Sequence, residues 1–285
     1  MDVYYINRDM DTERRKFTIN ALGVCPKDVV SSYRRIAAVD KSNFGNIRRA
    51  SQILDDLMKG NAKLEWFLCI FLSHLKAILT FHQKGKGRVG LIMEDDADLL
   101  WSKIDWKGMI RSIERDHPKW QVIKVYRNFN KIYQEDPGLC TPYLKANKNS
   151  GLVAYLVNRS ALDQRLAHIS QLGFVLPELN GFDPTALLDH LRKPNVDSEK
   201  LIYTWVFDPR WVLQLNVPLV GHTYHFISSK IAQLESSGIN RANLLNDKYA
   251  TFLLSKRPPL HAKGLKLELF DPKYHPRLKE FNDSR

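Results

Sequence analysis

Cysteine is scarce in this chain. Three residues in 285, Cys25, Cys69 and Cys140, stand too far apart for a disulfide framework or a zinc knuckle. A reducing compartment suits such a chain best. Long apolar runs are missing too. The longest candidate, residues 66–81, is interrupted by His74 and Lys76, short of the ~18 apolar residues of a membrane helix. The opening Met-Asp-Val-Tyr-Tyr-Ile carries no apolar leader pattern. A cytoplasmic protein, peripheral to a membrane at most, is the expectation. Acidic residues are in deficit: 31 Asp and Glu against 43 Lys and Arg leave a net charge of +12. That balance asks for an anionic partner, whether nucleic acid, an acidic membrane surface or a phosphorylated substrate. Repeats and low-complexity segments are absent. With 44% hydrophobic and 26% charged residues, the chain reads as globular.

Against the general shortage of acids, one stretch is crowded with them. Arg88-Val-Gly-Leu-Ile-Met-Glu-Asp-Asp-Ala-Asp-Leu-Leu100 begins as an apolar strand. It ends in Glu94, Asp95, Asp96 and Asp98. Open α/β sheets bind ligands beyond the C-terminal ends of their strands. Clustered carboxylates repel one another unless a cation lies among them, and oxygen ligands suit Mg²⁺ or Mn²⁺ rather than zinc. A solvated acidic turn is the plainer alternative.

Val3–Ile6 reads as the first strand, running through a polar turn into a helix that Asp11 or Thr12 caps. A strand, a turn and a helix start make an anion site, and Arg8, Arg14 and Arg15 add charge beside it. Solvated i, i+4 pairs are the competing account. Further strands are expected at 33–39, 121–126, 151–158, 203–207 and 211–215, with a loop and one short helix over 41–62. Helices are expected at 64–81, 101–120, 161–169 and 185–191. In the first of these, Leu64, Phe67, Leu68, Phe71, Leu72, Leu75 and Ile78 keep the spacing of a buried face. Ser73 and His74 lie within it. Strands alternating with helices imply an α/β fold with a mainly parallel sheet. Residues 230–285 differ, with eleven Lys or Arg against six Asp or Glu, and within them Leu265–Phe270 alternates as an edge strand would.

An acidic strand end, an arginine-rich first turn and a basic balance describe a nucleotide diphosphate held through a divalent ion. Glycosyl transfer from a nucleotide sugar needs this, as do some phosphoryl and nucleotidyl transfers, and composition and spacing do not separate them.

The order of segments resembles glycosyltransferase family 25, which includes bacterial lipooligosaccharide and collagen galactosyltransferases. Tyr5-Ile-Asn-Arg8 with Glu13-Arg-Arg15 resembles the family's first strand. Cys69-Ile-Phe-Leu-Ser-His-Leu75 is similar to its Cys-x-x-Ser-His helix, with one extra residue before Ser73. Leu91-Ile-Met-Glu-Asp-Asp-Ala-Asp98 resembles its Glu-Asp-Asp strand end. Ser150-Gly-Leu-Val-Ala-Tyr-Leu-Val-Asn-Arg-Ser160 is similar to its Gly-x-x-Gly-Tyr segment, with Ala154 and Asn158 as departures. Phe182-Asp183 matches its Val-Asp step. The likeness spans residues 3 to about 225.

The resemblance implies a GT-A-like, Rossmann-type domain over 1–229, with a nucleotide-binding half near 1–126, an acceptor half near 127–229, and 230–285 as a basic extension. It implies a UDP-sugar donor, galactose or glucose, and Mn²⁺ or Mg²⁺ held by Asp96, Glu94 and Asp98. It places Arg8, Arg14, Arg15, Ser73, His74 and Asp95 around the nucleotide. Inversion needs a base, and Asp183 heading a helix is the candidate, with helix capping as its rival role. His222 and His225 are candidates for a late metal ligand or a structural turn. Tyr203, Trp205, Phe207 and Trp211 either stack on a sugar or belong to the core. A glycan or glycolipid acceptor, as in lipopolysaccharide synthesis, follows, and no nucleic-acid module appears. A non-catalytic sugar-binding relative and a basic nucleic-acid-binding protein remain the alternatives.

Overall fold

The computed structural model describes residues 1–49, 51–59, 61–99, 101–104, 106–126, 140–144, 151–173, 179, 181–193, 197–215, 219–222 and 267–269. β1 (Asp2–Asn7) leads into α1 (Thr12–Gly23) and β2 (Ser32–Ala37). Two helices follow, α2 (Lys41–Arg49) and α3 (Gln52–Met58), and then the long α4 (Ala62–Lys84). β3 (Val89–Glu94), β4 (Ala97–Leu99) and β5 (Trp101–Ile104) precede α5 (Trp106–Asp116). β6 (Val122–Lys124), β7 (Cys140–Pro142), β8 (Ala154–Asn158) and α6 (Arg159–Ile169) come next. After them stand α7 (Leu188–Leu191), α8 (Ser198–Leu201), β9 (Val212–Leu215), β10 (Val220–His222) and β11 (Leu267–Leu269).

Seven strands form one sheet in the order β2-β1-β3-β8-β6-β9-β7. β2, β1 and β3 run parallel, as do β6 and β9, while β8 and β7 run against their neighbours. The expected α/β fold, with a mainly parallel sheet flanked by helices, is what the chain adopts. β6, which ends just before residue 126, lies between β8 and β9, so the sheet draws strands from both sides of that position.

β1 is buried on both faces, as a strand inside a two-sided α/β sheet must be. Tyr4 and Ile6 join the core under α4. Val3 and Tyr5 join the opposite core, with Leu22 of α1 and Trp106, Met109 and Ile113 of α5. α4 is long and apolar enough to cross a membrane by composition, which amends the sequence-based expectation. It is also the core helix, with Leu68, Phe71, Leu72 and Leu75 at 0% exposure. Gly90 permits its close approach to the sheet, since a Cβ there would stand 2.7 Å from the Phe81 ring.

Several sequence-based boundaries move. Residues 41–58 hold two helices, not one. Asp40 Oδ1 accepts the Ser42 and Asn43 N–H groups while Asn43 Oδ1 accepts the Asp40 N–H, a reciprocal cap that starts α2. The helix expected over 101–120 begins only at Trp106, because Trp101–Ile104 pairs with β11. The expected strand over 203–207 is a wide helical turn, Ile202–Val206, continuing α8. Asp197 starts that helix by accepting the Lys200 N–H, and burial of Tyr203, Trp205 and Phe207 places those aromatics in the core. The β-branched and aromatic preference for strands yields here to tertiary packing.

Asp2 clips the sheet's entry. Its carboxylate accepts Ser32 Oγ at 2.6 Å, Ser31 Oγ at 3.2 Å, and the Lys86 and Gly87 N–H groups at 2.8 and 3.0 Å. Burial works to raise this carboxyl, but the hydrogen bonds outweigh it and hold it at about 2. A carboxyl depressed by folding stabilises the fold above its unfolded value of ~3.9, and that contribution is lost as pH falls toward 2. Asp2→Ala is expected to cost about 2 kcal/mol in urea unfolding at pH 7. The variant should also lose less stability than the parent between about pH 4 and pH 2. An unchanged midpoint at pH 7 would show that these bonds add nothing net.

Candidate functional site

Parallel β1 and β3 end side by side, with Ile6 opposite Glu94. Their C-terminal ends, the β1–α1 turn and the middle of α4 enclose a cleft of about 320 Å³. Arg8, Arg14, Ser73, His74, Glu94, Asp95 and Asp96 all line it, together with Trp66, Cys69, Ile70 and Asp40. Seven of the residues singled out from the sequence therefore converge.

Asn7, which the sequence did not mark as a site residue, organises the floor. Its Nδ2 donates to Asp95 Oδ2 at 2.7 Å and to the Asp11 carbonyl at 3.0 Å. Its Oδ1 accepts Arg15 Nε at 3.1 Å and Arg35 Nε at 2.9 Å. In the sequence its signal was only a polar residue closing an apolar strand; the structure adds that it is buried, and a buried polar group is a bonded one. Arg15 thus braces the turn, donating also to the Asp9 carbonyl, and does not line the cleft. Asp11 sits at the N-cap of α1 without capping it. Arg8 takes both its oxygens, Nε to Oδ2 at 2.6 Å and Nη2 to Oδ1 at 3.0 Å.

Asp95 is 6% exposed. Its second oxygen accepts Arg14 Nη1 at 3.1 Å. Burial pushes its carboxyl up to about 6, and the charge of Asp96 adds to this, against the Asn7 and Arg14 bonds. Both Asp95 oxygens are thus committed within the protein. The same Arg14 nitrogen lies 3.5 Å from Asp96 Oδ2, so one guanidinium spans the two acids.

His74 is buried between Tyr155 and Glu94, with Nδ1 3.0 Å from the Tyr155 hydroxyl and Nε2 3.0 Å from Glu94 Oε1. Burial raises the Tyr155 hydroxyl well above its ordinary pKa. A phenol donating to Nδ1 leaves Nε2–H to donate to Glu94. Glu94 is therefore held by one oxygen from β8 through α4. Ser73 donates to the Cys69 carbonyl at 2.7 Å and accepts the Val39 N–H at 2.8 Å. It fixes the end of β2 while lining the cleft.

Among the described residues, no three His, Cys, Asp or Glu side chains converge as a ready metal cage. The oxygens of Glu94 and Asp96 are nevertheless of the type a hard cation takes. Mg²⁺ is ordinarily held by one or two carboxylates, with substrate phosphates and water completing the shell. Asp98 lies on β4, its backbone opposite Gly221 of β10. His222 stands opposite Ala97, so this late strand is bound beside the acidic turn. The side chains of Asp98 and His222 lie outside the described residues, as do His225 and nearly all of 230–285.

Asp183 lines a second cleft of about 670 Å³, with Asp9, Asn43, Lys76 and Phe182. Ala38 and Val39 line both clefts. Asp183 Oδ1 accepts the Thr185 N–H at 2.9 Å and Thr185 Oγ1 at 2.6 Å. Those bonds hold its carboxyl below the ordinary range. These are local turn bonds: the helical turn Thr185–Leu187 has Pro184 at its cap position and no side-chain cap, and Asp183 Oδ2 takes part in neither bond.

No protein-family model matches this sequence, and no curated protein sequence does. Solved structures bear a distant likeness. One is the glycosyltransferase GlyE of Streptococcus pneumoniae TIGR4, at TM-score 0.39 and 8% identity over 88% of this chain and 64% of that one. Another is the galactosyltransferase LgtC in complex with donor and acceptor sugar analogs. Its TM-score is 0.34, with 10% identity over 87% of this chain and 96% of that one. The chain thus spans less than two thirds of the GlyE chain. Likenesses at these scores assign no activity.

Proposed function

We propose that the chain is a glycosyltransferase that moves a hexose, galactose or glucose, from a UDP-sugar to a hydroxyl of a glycan or glycolipid. Convergence of Arg8, Arg14, Glu94 and Asp96 on one cleft at the ends of β1 and β3 supports this reading. Arginine forks suit phosphate oxygens. Glu94 and Asp96 would hold Mn²⁺ or Mg²⁺, which when bound offsets the charge on a leaving diphosphate.

The second cleft takes the acceptor. The acceptor hydroxyl passes its proton to Asp183 Oδ2, and its oxygen bonds to the anomeric carbon. The bond from that carbon to the diphosphate oxygen breaks, and the electron pair leaves with the nucleotide. Attack opposite the leaving group inverts the anomeric centre. Asp183 ionises readily, so its carboxylate is in the accepting form at neutral pH. Surface-glycan synthesis at the cytoplasmic face of a membrane, with the basic residues of 230–285 toward anionic lipid, belongs to the same proposal. A second reading, nucleotide-sugar binding without transfer, draws on the engagement of Asp183 with Thr185.

A thermal-shift screen of UDP-hexoses with and without Mn²⁺ tests the reading. Ligand at a hundred times its Kd adds about 2.7 kcal/mol, so stabilisation by UDP-hexose that requires Mn²⁺ is the expected result. No stabilisation by any nucleoside diphosphate would sink it. Stabilisation without transfer to any acceptor would favour the second reading.

A further inference from the structure

α4 is a core helix with one conspicuous exception. Leu64, Leu68, Phe71, Leu72 and Leu75 are at most 3% exposed, yet Trp66 is 56% exposed. An exposed large aromatic surface on an otherwise buried helix is more informative than an exposed leucine. Of the exposed large hydrophobics among the described residues, Met10, Val24, Tyr33, Ile53, Trp66 and Leu144, Trp66 alone lines the cleft at the acidic strand end. Its ring leans on Phe67, centroids 5.2 Å apart and tilted by 48°, so the indole has a fixed support at the rim.

The spacing along α4 gives the cleft two unlike ends. Trp66, Ile70 and Ser73 with His74 follow at helical intervals on one face. His74 is bonded to Glu94, so the carboxylates mark the far end. Eight residues at 1.5 Å each place Trp66 about 12 Å along the axis from His74. Between them Cys69, Ile70, Ala38 and Val39 form an apolar stretch of wall, with Asp40 and Lys41 beside Cys69 at its edge. One end is aromatic and apolar, and the other carries Arg14, Glu94 and Asp96. A nucleoside diphosphate has the same division, a flat base at one end and charge at the other.

We propose that the Trp66 indole stacks on the nucleobase, with the diphosphate directed toward Arg8 and Arg14. This rests on the reading of the cleft as a nucleotide site and adds the residue that grips the base. Stacking tolerates any base, so Trp66 supplies affinity, not a choice among bases.

Calorimetric titrations of the full chain with UDP, ADP and pyrophosphate, each with Mn²⁺, test it. Trp66→Ala and Trp66→Leu should weaken nucleoside diphosphate binding by about ten- to a hundredfold. Trp66→Phe should keep most of the affinity, and pyrophosphate should bind all four proteins equally. Thermal unfolding of the variants should match the parent, because the side chain is exposed. Equal UDP and ADP affinity in parent and Trp66→Ala would overturn the stacking role and leave the nucleotide reading standing. Equal loss of pyrophosphate would also overturn it, by showing a general disturbance of the cleft. A parent that binds none of the three ligands would overturn the stacking role and the nucleotide reading together.

Discussion

Glu199→Ala is expected to lower the unfolding free energy by about 3–5 kcal/mol, because it strips a buried ammonium of its carboxylate. Lys124 is 1% exposed on β6, and its Nζ lies 2.7 Å from Glu199 Oε1. The rings of Tyr203 and Tyr143 flank that nitrogen at 5.0 and 5.3 Å. Tyr143 donates to the same Glu199 oxygen at 3.3 Å, and the Gly151 N–H donates to the other. Burial drags the lysine pKa down, while Glu199 opposes it by charge and hydrogen bond. Against a typical total of about 5–15 kcal/mol, the loss would leave a marginal fold. Urea unfolding followed by circular dichroism measures it. The double variant Lys124→Met, Glu199→Leu removes both charges and should recover most of the loss. If the single variant unfolds at the parental urea concentration, the pair contributes nothing net.

Asp96→Ala carries the largest expected effect on activity. Replacing even outer partners of a metal ligand costs about 10–100-fold; under the proposed function, in which Asp96 holds the ion, the variant should therefore cut Mn²⁺-dependent transfer by more than about 100-fold. Mn²⁺-dependent stabilisation by UDP should vanish with it. Without ligand, the melting point should stay near the parental value, because Asp96 lies in the turn after β3 and outside both hydrophobic cores. Unchanged turnover in Asp96→Ala would remove this carboxylate from the chemistry. An equal fall in ligand-free melting temperature would instead mark it as structural.

Much of the cleft was legible beforehand because its parts are local. An apolar run stopping in carboxylates gave β3 and the acidic turn, and the spacing of Leu64, Leu68, Leu72 and Leu75 gave α4. What escaped depends on distant partners. Trp101–Ile104 is a strand only because Leu267–Leu269 lies against it, and nothing within the segment reports a partner that far along the chain. The aromatic run at 202–206 has strand composition, yet it continues a helix begun at Asp197. Asn7 escaped for another reason: an asparagine ending a strand is common, and its four side-chain hydrogen bonds join three stretches of chain, the start of α1, β2 and the acidic turn. The reciprocal cap of Asp40 and Asn43 was local and readable as a helix start.

Strand order also dictates when the protein becomes whole during synthesis. β3 waits for β8 to cover its edge, β6 waits for β9, and β4, just past the turn bearing Asp95 and Asp96, waits for β10 at residues 220–222. A ribosome that has released only the first 126 residues therefore exposes unpaired strand edges, the situation in which nascent chains recruit chaperones. Cutting the gene there would leave each piece with strand edges that its partner covers in the whole chain.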